Sequence, residues 1–173
     1  MSAMTPASRI PVGVVVERRK AKSQWVDFVW RPVAALPGLP DASPWTVLEQ
    51  GPHAAMIYAG AADVALYRSE TAMYRDNLTT GEPRLWVVLR PTDIDPPYEL
   101  VTVTADPSEG EGYTAAGNDL VDSVPMPEPI RFAVEAFVAA HHVEQPFFKR
   151  KRDSADPDAL ARRVPADRKD HEE

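Results

Sequence analysis

The stretch from Ile10 to Gly38, IPVGVVVERRKAKSQWVDFVWRPVAALPG, constrains the fold more than any other part of the chain. Val12, Val14 and Val16 recur with period two. After a basic, polar segment, Phe28, Trp30, Ala34 and Leu36 fall on one side of a second extended run, with Val29, Arg31, Val33 and Ala35 on the other. Successive side chains of a strand point to opposite faces, so this spacing predicts two strands, each with one buried face. Their proximity predicts an antiparallel hairpin, with Arg18-Arg19-Lys20-Ala21-Lys22 as its turn.

The remainder follows an α+β pattern. Pro37-Gly38-Leu39-Pro40 and Ser43-Pro44 mark a loop, and Trp45 to Gln50 reads as a short strand. His53–Gly60 and Ala62–Arg68 alternate around Gly60-Ala61, which predicts a second hairpin. The period then changes: Ser69 as N-cap, Glu70 in the first turn and Gly81 as a stop predict a helix of two to three turns. Arg84–Arg90 and Tyr98–Ala105 are strands separated by the turn Asp93-Ile94-Asp95-Pro96-Pro97.

Asp106-Pro107-Ser108-Glu109 has the composition of a helix start, followed by a helix weakened by Gly110 and Gly112. The last helix, about Glu128 to His142, carries Ile130, Ala133, Val134, Phe137, Val138 and His141 on one apolar stripe. The fold class expected is therefore an antiparallel sheet, or partly closed barrel, of six or seven strands. A short helix is inserted, and a C-terminal helix packs on one face. Residues 1–9 read as a flexible arm, 10–152 as a single domain, and 153–173, rich in mixed charge and poor in large apolar side chains, as a disordered tail.

Composition excludes several kinds of chemistry. The chain has no cysteine, so it forms no disulfide and supplies no thiolate for a nucleophile, zinc or an iron–sulfur cluster. Its 173 residues carry a net charge of −7. The last 25 residues hold eight basic against seven acidic side chains, so residues 1–148 carry −8. An acidic body repels a phosphate backbone, and nucleic acid is not an expected partner. No apolar run approaches the roughly 20 residues that span a bilayer, and the N-terminus lacks the apolar core of a secretory signal, so a cytoplasmic protein without membrane contact is expected.

Catalytic motifs are missing from the sequence: there is no GxGxxG, P-loop or GxSxG. His141 and His142, with Glu144 behind them, are adjacent on a helix and diverge by about 100°, so they do not form an i, i+4 chelate. Glu70 and Tyr74 lie one helical turn apart, with Arg75 and Asn77 extending the polar set. The pair could serve acid–base chemistry, but Tyr74 reads more simply as a packed side chain with a bonded hydroxyl. No catalytic residue, metal or cofactor is expected. The partner-binding candidates are the basic turn (Arg18, Arg19, Lys20, Lys22) and the cluster Lys149, Arg150, Lys151 and Arg152.

Several segments together resemble an uncharacterised bacterial family of unknown function. They are IPVGVVVERR, Trp30-Arg31-Pro32-Val33-Ala34 leading to Leu36-Pro37-Gly38, the Arg68-x-Glu70-Thr71-x-x-Tyr74-x-x-Asn77-Leu78 helix, Val124-Pro125-Met126-Pro127-Glu128, and Ala136–Glu144. Members of that family are typically encoded beside molybdenum-dependent formate dehydrogenase genes, and some carry the name molybdopterin-guanine dinucleotide biosynthesis protein A. The resemblance implies a non-catalytic accessory protein for maturation or assembly of formate dehydrogenase or a related molybdoenzyme. A dehydrogenase subunit or another maturation factor would then be its partner. The alternatives are a molybdenum-cofactor or nucleotide-handling enzyme, and a small-molecule binding module with its mouth near Trp25 and Trp86. A nucleotidyltransferase would place a Gly-rich loop after its first strand, where this chain has Glu17-Arg18-Arg19-Lys20.

Overall fold

The computed structural model describes residues 4–115 and 117–143. Seven strands form two antiparallel sheets, with no closed barrel among the described residues. They are β1 (Ser8–Lys20), β2 (Phe28–Leu36), β3 (Thr46–Gln50), β4 (Ala54–Leu66), β5 (Arg84–Pro91), β6 (Tyr98–Thr104) and β7 (Leu120–Pro125). The first sheet has the order β2-β1-β4-β3 and the second β6-β5-β7. Three α-helices complete the fold: α1 (Thr71–Thr79, entered through a 3₁₀ turn at Arg68–Glu70), α2 (Pro107–Ala115) and α3 (Glu128–His141). No helix among the described residues is long and apolar enough to cross a membrane.

One apolar core serves both sheets. Val12, Val14, Val16, Ile57 and Val64 from the first sheet meet Leu85, Val87, Leu89, Val103 and Val124 from the second, and Tyr74, Ile130, Val134 and Phe137 close it from α1 and α3. The expected apolar stripe of α3 is thus its buried face. Strand β1 begins at Ser8, paired with Leu66, so Ser8 and Arg9 belong to the sheet rather than to an N-terminal arm.

Two bulges explain where strict alternation fails. Opposite β2 the register shifts between Val15 and Val16, which pair with Ala34 and Pro32 and leave Val33 as the extra residue. One extra residue flips every later side chain to the other face, so Ala35 enters the core in place of Ala34. Between β1 and β4, Val14 pairs with Gly60 and Val15 with Tyr58, leaving Ala59 unpaired. Gly60 has φ +118°, a conformation that glycine adopts without a Cβ penalty. The Gly60-Ala61 site predicted as a hairpin turn is therefore a bulge inside one 13-residue strand. Pairing with β1 from Ala54 to Leu66 leaves no place for a reversal. Strand β7, which the sequence reading leaves unassigned, supplies the seventh strand.

The helix starts differ in how they are capped. Asp106 Oδ1 accepts hydrogen bonds from the backbone N–H groups of Ser108 (2.8 Å) and Glu109 (3.3 Å), so the predicted acidic N-cap of α2 forms. Glu109 is tied to the same corner by accepting from the Thr104 hydroxyl at 2.8 Å. The predicted Ser69 cap of α1 does not form: the 3₁₀ turn moves the helix start to Thr71, and Ser69 Oγ donates instead to Glu70 Oε1. Asn77 secures the other end of α1. Its Nδ2 donates to the carbonyls of Arg84 (2.8 Å) and Ala105 (3.0 Å), and its Oδ1 accepts from Arg84 N–H at 2.9 Å.

Candidate functional site

Strand register separates the basic residues that the sequence places on one turn. Arg18, Arg19 and Lys20 are the last three residues of β1, and of the proposed cluster only Lys22 lies in the connecting loop. Neighbouring strand residues face opposite ways, so Arg18 and Arg19 enter different environments. The expected basic hairpin tip is therefore corrected to two sites on opposite faces. Lys149, Arg150, Lys151 and Arg152 lie outside the described residues, as does the tail 153–173.

On one face Glu17 is buried at 4 % exposure, and β2 places Arg31 directly opposite it. Arg19 Nε donates to Glu17 Oε1 at 3.1 Å and Arg31 Nε to the same oxygen at 3.3 Å. The hydrogen bond from Arg19, then the charges of Arg19 and Arg31, outweigh burial and hold the Glu17 carboxyl below the ordinary carboxylate range. Arg19 is thus engaged in a structural charge cluster.

On the other face Arg18 pairs directly with Trp30. Its guanidinium carbon lies 4.9 Å from the Phe28 ring centroid and 5.7 Å from that of Trp30, within cation–π range. Trp30 in turn meets Trp45 (centroids 6.2 Å apart, 75° between planes) and Tyr98 (6.0 Å). The β5–β6 turn, whose Asp95–Pro96 peptide is cis, reaches over this aromatic group. Two adjoining recesses result. One, of about 370 Å³, is lined by Arg18, Val26, Asp27, Phe28, Trp30 and the Ile94–Pro97 turn. The other, of about 190 Å³, is lined by Arg18, Trp30, Trp45, Val47 and Ile57 with Asp95 and Pro96. Arg18, Trp30 and Asp95 border both.

Of these residues the sequence reading singled out Arg18 alone as a site residue. Asp95 and Ile94 read only as parts of a Pro-rich connector, although an isoleucine in an otherwise polar turn, 74 % exposed here, was an available signal. Trp25 and Trp86, expected beside one mouth, line neither recess. Trp25 projects from the β1–β2 loop at 91 % exposure, while Trp86 packs under Gly110 of α2.

The other candidate groups make contacts within the fold. Tyr74 is buried in the core, its hydroxyl accepts the Tyr67 backbone N–H at 2.9 Å, and burial raises its pKa to about 12. Such a phenol is not an acid–base group at neutral pH. His142 bridges α3 to α1 through Thr71 Oγ1 (3.0 Å at Nδ1) and Arg75 Nη1 (3.2 Å at Nε2). A guanidinium can only donate, so Nε2 accepts and Nδ1 carries the proton toward Thr71. The His141 ring packs on Phe137 at 4.6 Å. Among the described residues no group of three or more His, Asp or Glu is placed to hold a metal ion.

Fold and site together define the class: a two-sheet α+β domain with an aromatic-walled cleft bordered by one guanidinium and two carboxylates. The chain belongs to the DUF3305 family, described as a protein of unknown function, with the match covering residues 11–152. No curated protein and no solved structure matches it.

Proposed function

We propose that this chain is a non-catalytic accessory protein that acts by binding, and that it serves the maturation or assembly of formate dehydrogenase or a related molybdoenzyme. The observation that carries the binding role is the apolar rim at the end of the β1–β2 hairpin. Trp25, Val26 and Phe28 are all exposed there, and Ile94 adjoins Val26 and Phe28 across the cleft. Exposed apolar side chains gathered at one place, with Lys20 and Lys22 beside them, have the composition of a partner contact, where aromatic anchors carry most of the binding energy. The identity of the partner rests on the resemblance in the sequence.

The test uses the tagged full-length chain expressed from its own locus. A formate dehydrogenase subunit should co-purify with it, and deletion of the gene should lower formate oxidation and the molybdenum content of the enzyme. Trp25→Ser combined with Val26→Ser should abolish the co-purification while leaving the melting temperature unchanged, because both side chains are exposed. Recovery of no dehydrogenase subunit, together with normal formate oxidation in the deletion strain, would refute the reading.

A further inference from the structure

We propose that the cleft between Arg18 and Asp95 binds a flat, uncharged heterocycle whose edge presents a carbonyl acceptor beside N–H donors, lying against Trp30 and Trp45. The proposal is independent of the accessory role.

Four observations converge on it. First, Arg18 Nε is buried and has no hydrogen-bond partner, the only such side-chain atom among the described residues. A buried charged donor without an acceptor costs more than an ordinary lost hydrogen bond, so such a group calls for an explanation. Second, Arg18 and Asp95 border both recesses, yet they form neither an ion pair nor a hydrogen bond with each other. Opposite charges that share a cleft without closing on one another leave a gap with a donor on one side and an acceptor on the other. Third, Trp45 has φ +71°, a left-handed backbone that a bulky residue rarely adopts. That conformation accompanies the seating of its ring against Trp30 in the smaller recess. Fourth, the remaining walls are apolar (Val26, Phe28, Ile94, Val47, Ile57), and the larger recess falls within the size range of small-molecule sites.

Charge decides among ligand classes. The larger recess holds one guanidinium and two carboxylates, Asp27 and Asp95. A simple anion would meet two negative groups, and a simple cation would meet Arg18. A neutral ring with a lactam edge satisfies both sides, because its carbonyl accepts from Arg18 while adjacent N–H groups donate to Asp95. Guanine carries this pattern, with an acceptor edge that arginine reads and an N–H edge suited to a carboxylate.

The test is calorimetric titration of the full chain with guanosine as the probe, followed in parallel by tryptophan fluorescence. Binding at one site with quenching is expected. Arg18→Gln and Asp95→Asn should each weaken it by about tenfold or more, the effect of losing one hydrogen bond to a charged group. Inosine lacks the 2-amino donor, so it should bind about tenfold more weakly than guanosine to the unmodified chain and equally to Asp95→Asn. Asp95 is exposed, so its variant should keep the parent melting temperature and remain informative even if Arg18→Gln is less stable. No binding at millimolar guanosine, binding unchanged in both variants, or equal affinity for guanosine and inosine would each overturn the proposal.

Discussion

Gly110 and Gly112 look alike in the sequence, and the structure gives substitutions at the two positions opposite signs. Both lie inside α2, where Gly→Ala gains about 1 kcal/mol of helix propensity if nothing else changes. At Gly112 nothing lies within 4 Å of the added Cβ, so Gly112→Ala should stabilise the protein by close to that amount. At Gly110 the added Cβ would sit 2.4 Å from Trp86 Cγ and 2.6 Å from Trp86 Cβ. Those atoms are the base of the side chain, fixed to strand β5, so rotating the ring does not relieve the contact. The helix must lift off the sheet. Overpacking of this kind costs about 1–3 kcal/mol, and with near-fixed atoms the upper end applies. Subtracting the propensity gain leaves Gly110→Ala less stable than the parent by about 2 kcal/mol. Urea unfolding, with the m-value shown to be constant, should separate the two variants by about 3 kcal/mol. In a Trp86→Gly background, which removes the Cβ as well as the ring, the penalty at Gly110 should disappear, leaving the two glycine substitutions equivalent. Gly110→Ala at or above parental stability would refute the reasoning.

Three further outcomes test other parts of the fold. Asn77→Ala strips partners from Arg84 N–H and from two backbone carbonyls, so unfolding free energy should fall by about 3–5 kcal/mol, toward the lower end of roughly 1–3 per orphaned group; a loss under 1 kcal/mol in urea titration would contradict it. The folded-state pKa of Glu17 is depressed, so its contribution to stability is present above its unfolded pKa and fades as pH falls through the folded one. Urea midpoints of the parent and Glu17→Gln should therefore differ most at neutral pH and converge in acid. Phe137→Ala should cost about 3–5 kcal/mol by opening a cavity beneath Tyr74, whereas His142→Ala, which loses two partly exposed bonds, should cost about 1 kcal/mol; comparable thermal shifts for the two would overturn the ranking.

The sequence resolved what local periodicity controls. The β1–β2 hairpin, strands β5 and β6, the Asp106 cap and the buried stripe of α3 all follow from short-range spacing, and all appear in the structure. It failed where long-range pairing decides. Gly60 carries an ordinary turn signal, and only the continuous ladder with β1 converts it into a bulge. Leu120–Pro125 has a weak alternating pattern of its own, and becomes a strand because β5 offers an unpaired edge whose Arg84 side chain bonds Ser123 through its hydroxyl and carbonyl.

The cleft was out of reach for the same reason, with electrostatics added. Read along the chain, Arg18 belongs to a run of like charges, and such a run suggests one basic surface. In the sheet, alternation sends Arg19 to Glu17 and Arg31 and Arg18 to Phe28 and Trp30, so one becomes a structural counter-ion and the other lines a cleft. Nor does any sequence separation hint that Asp95, in the β5–β6 turn, borders the same recesses. The consequence for the surface charge is testable by reversal. Lys20→Glu with Lys22→Glu changes two exposed cations without touching the Glu17 cluster or the cleft. It should slow association with an acidic partner and weaken its salt dependence while leaving the melting temperature unchanged. Arg19→Glu should instead lower stability, because it places a second carboxylate against the buried Glu17. If Arg19→Glu melted like the parent, the division of this basic run into a structural half and a binding half would be wrong.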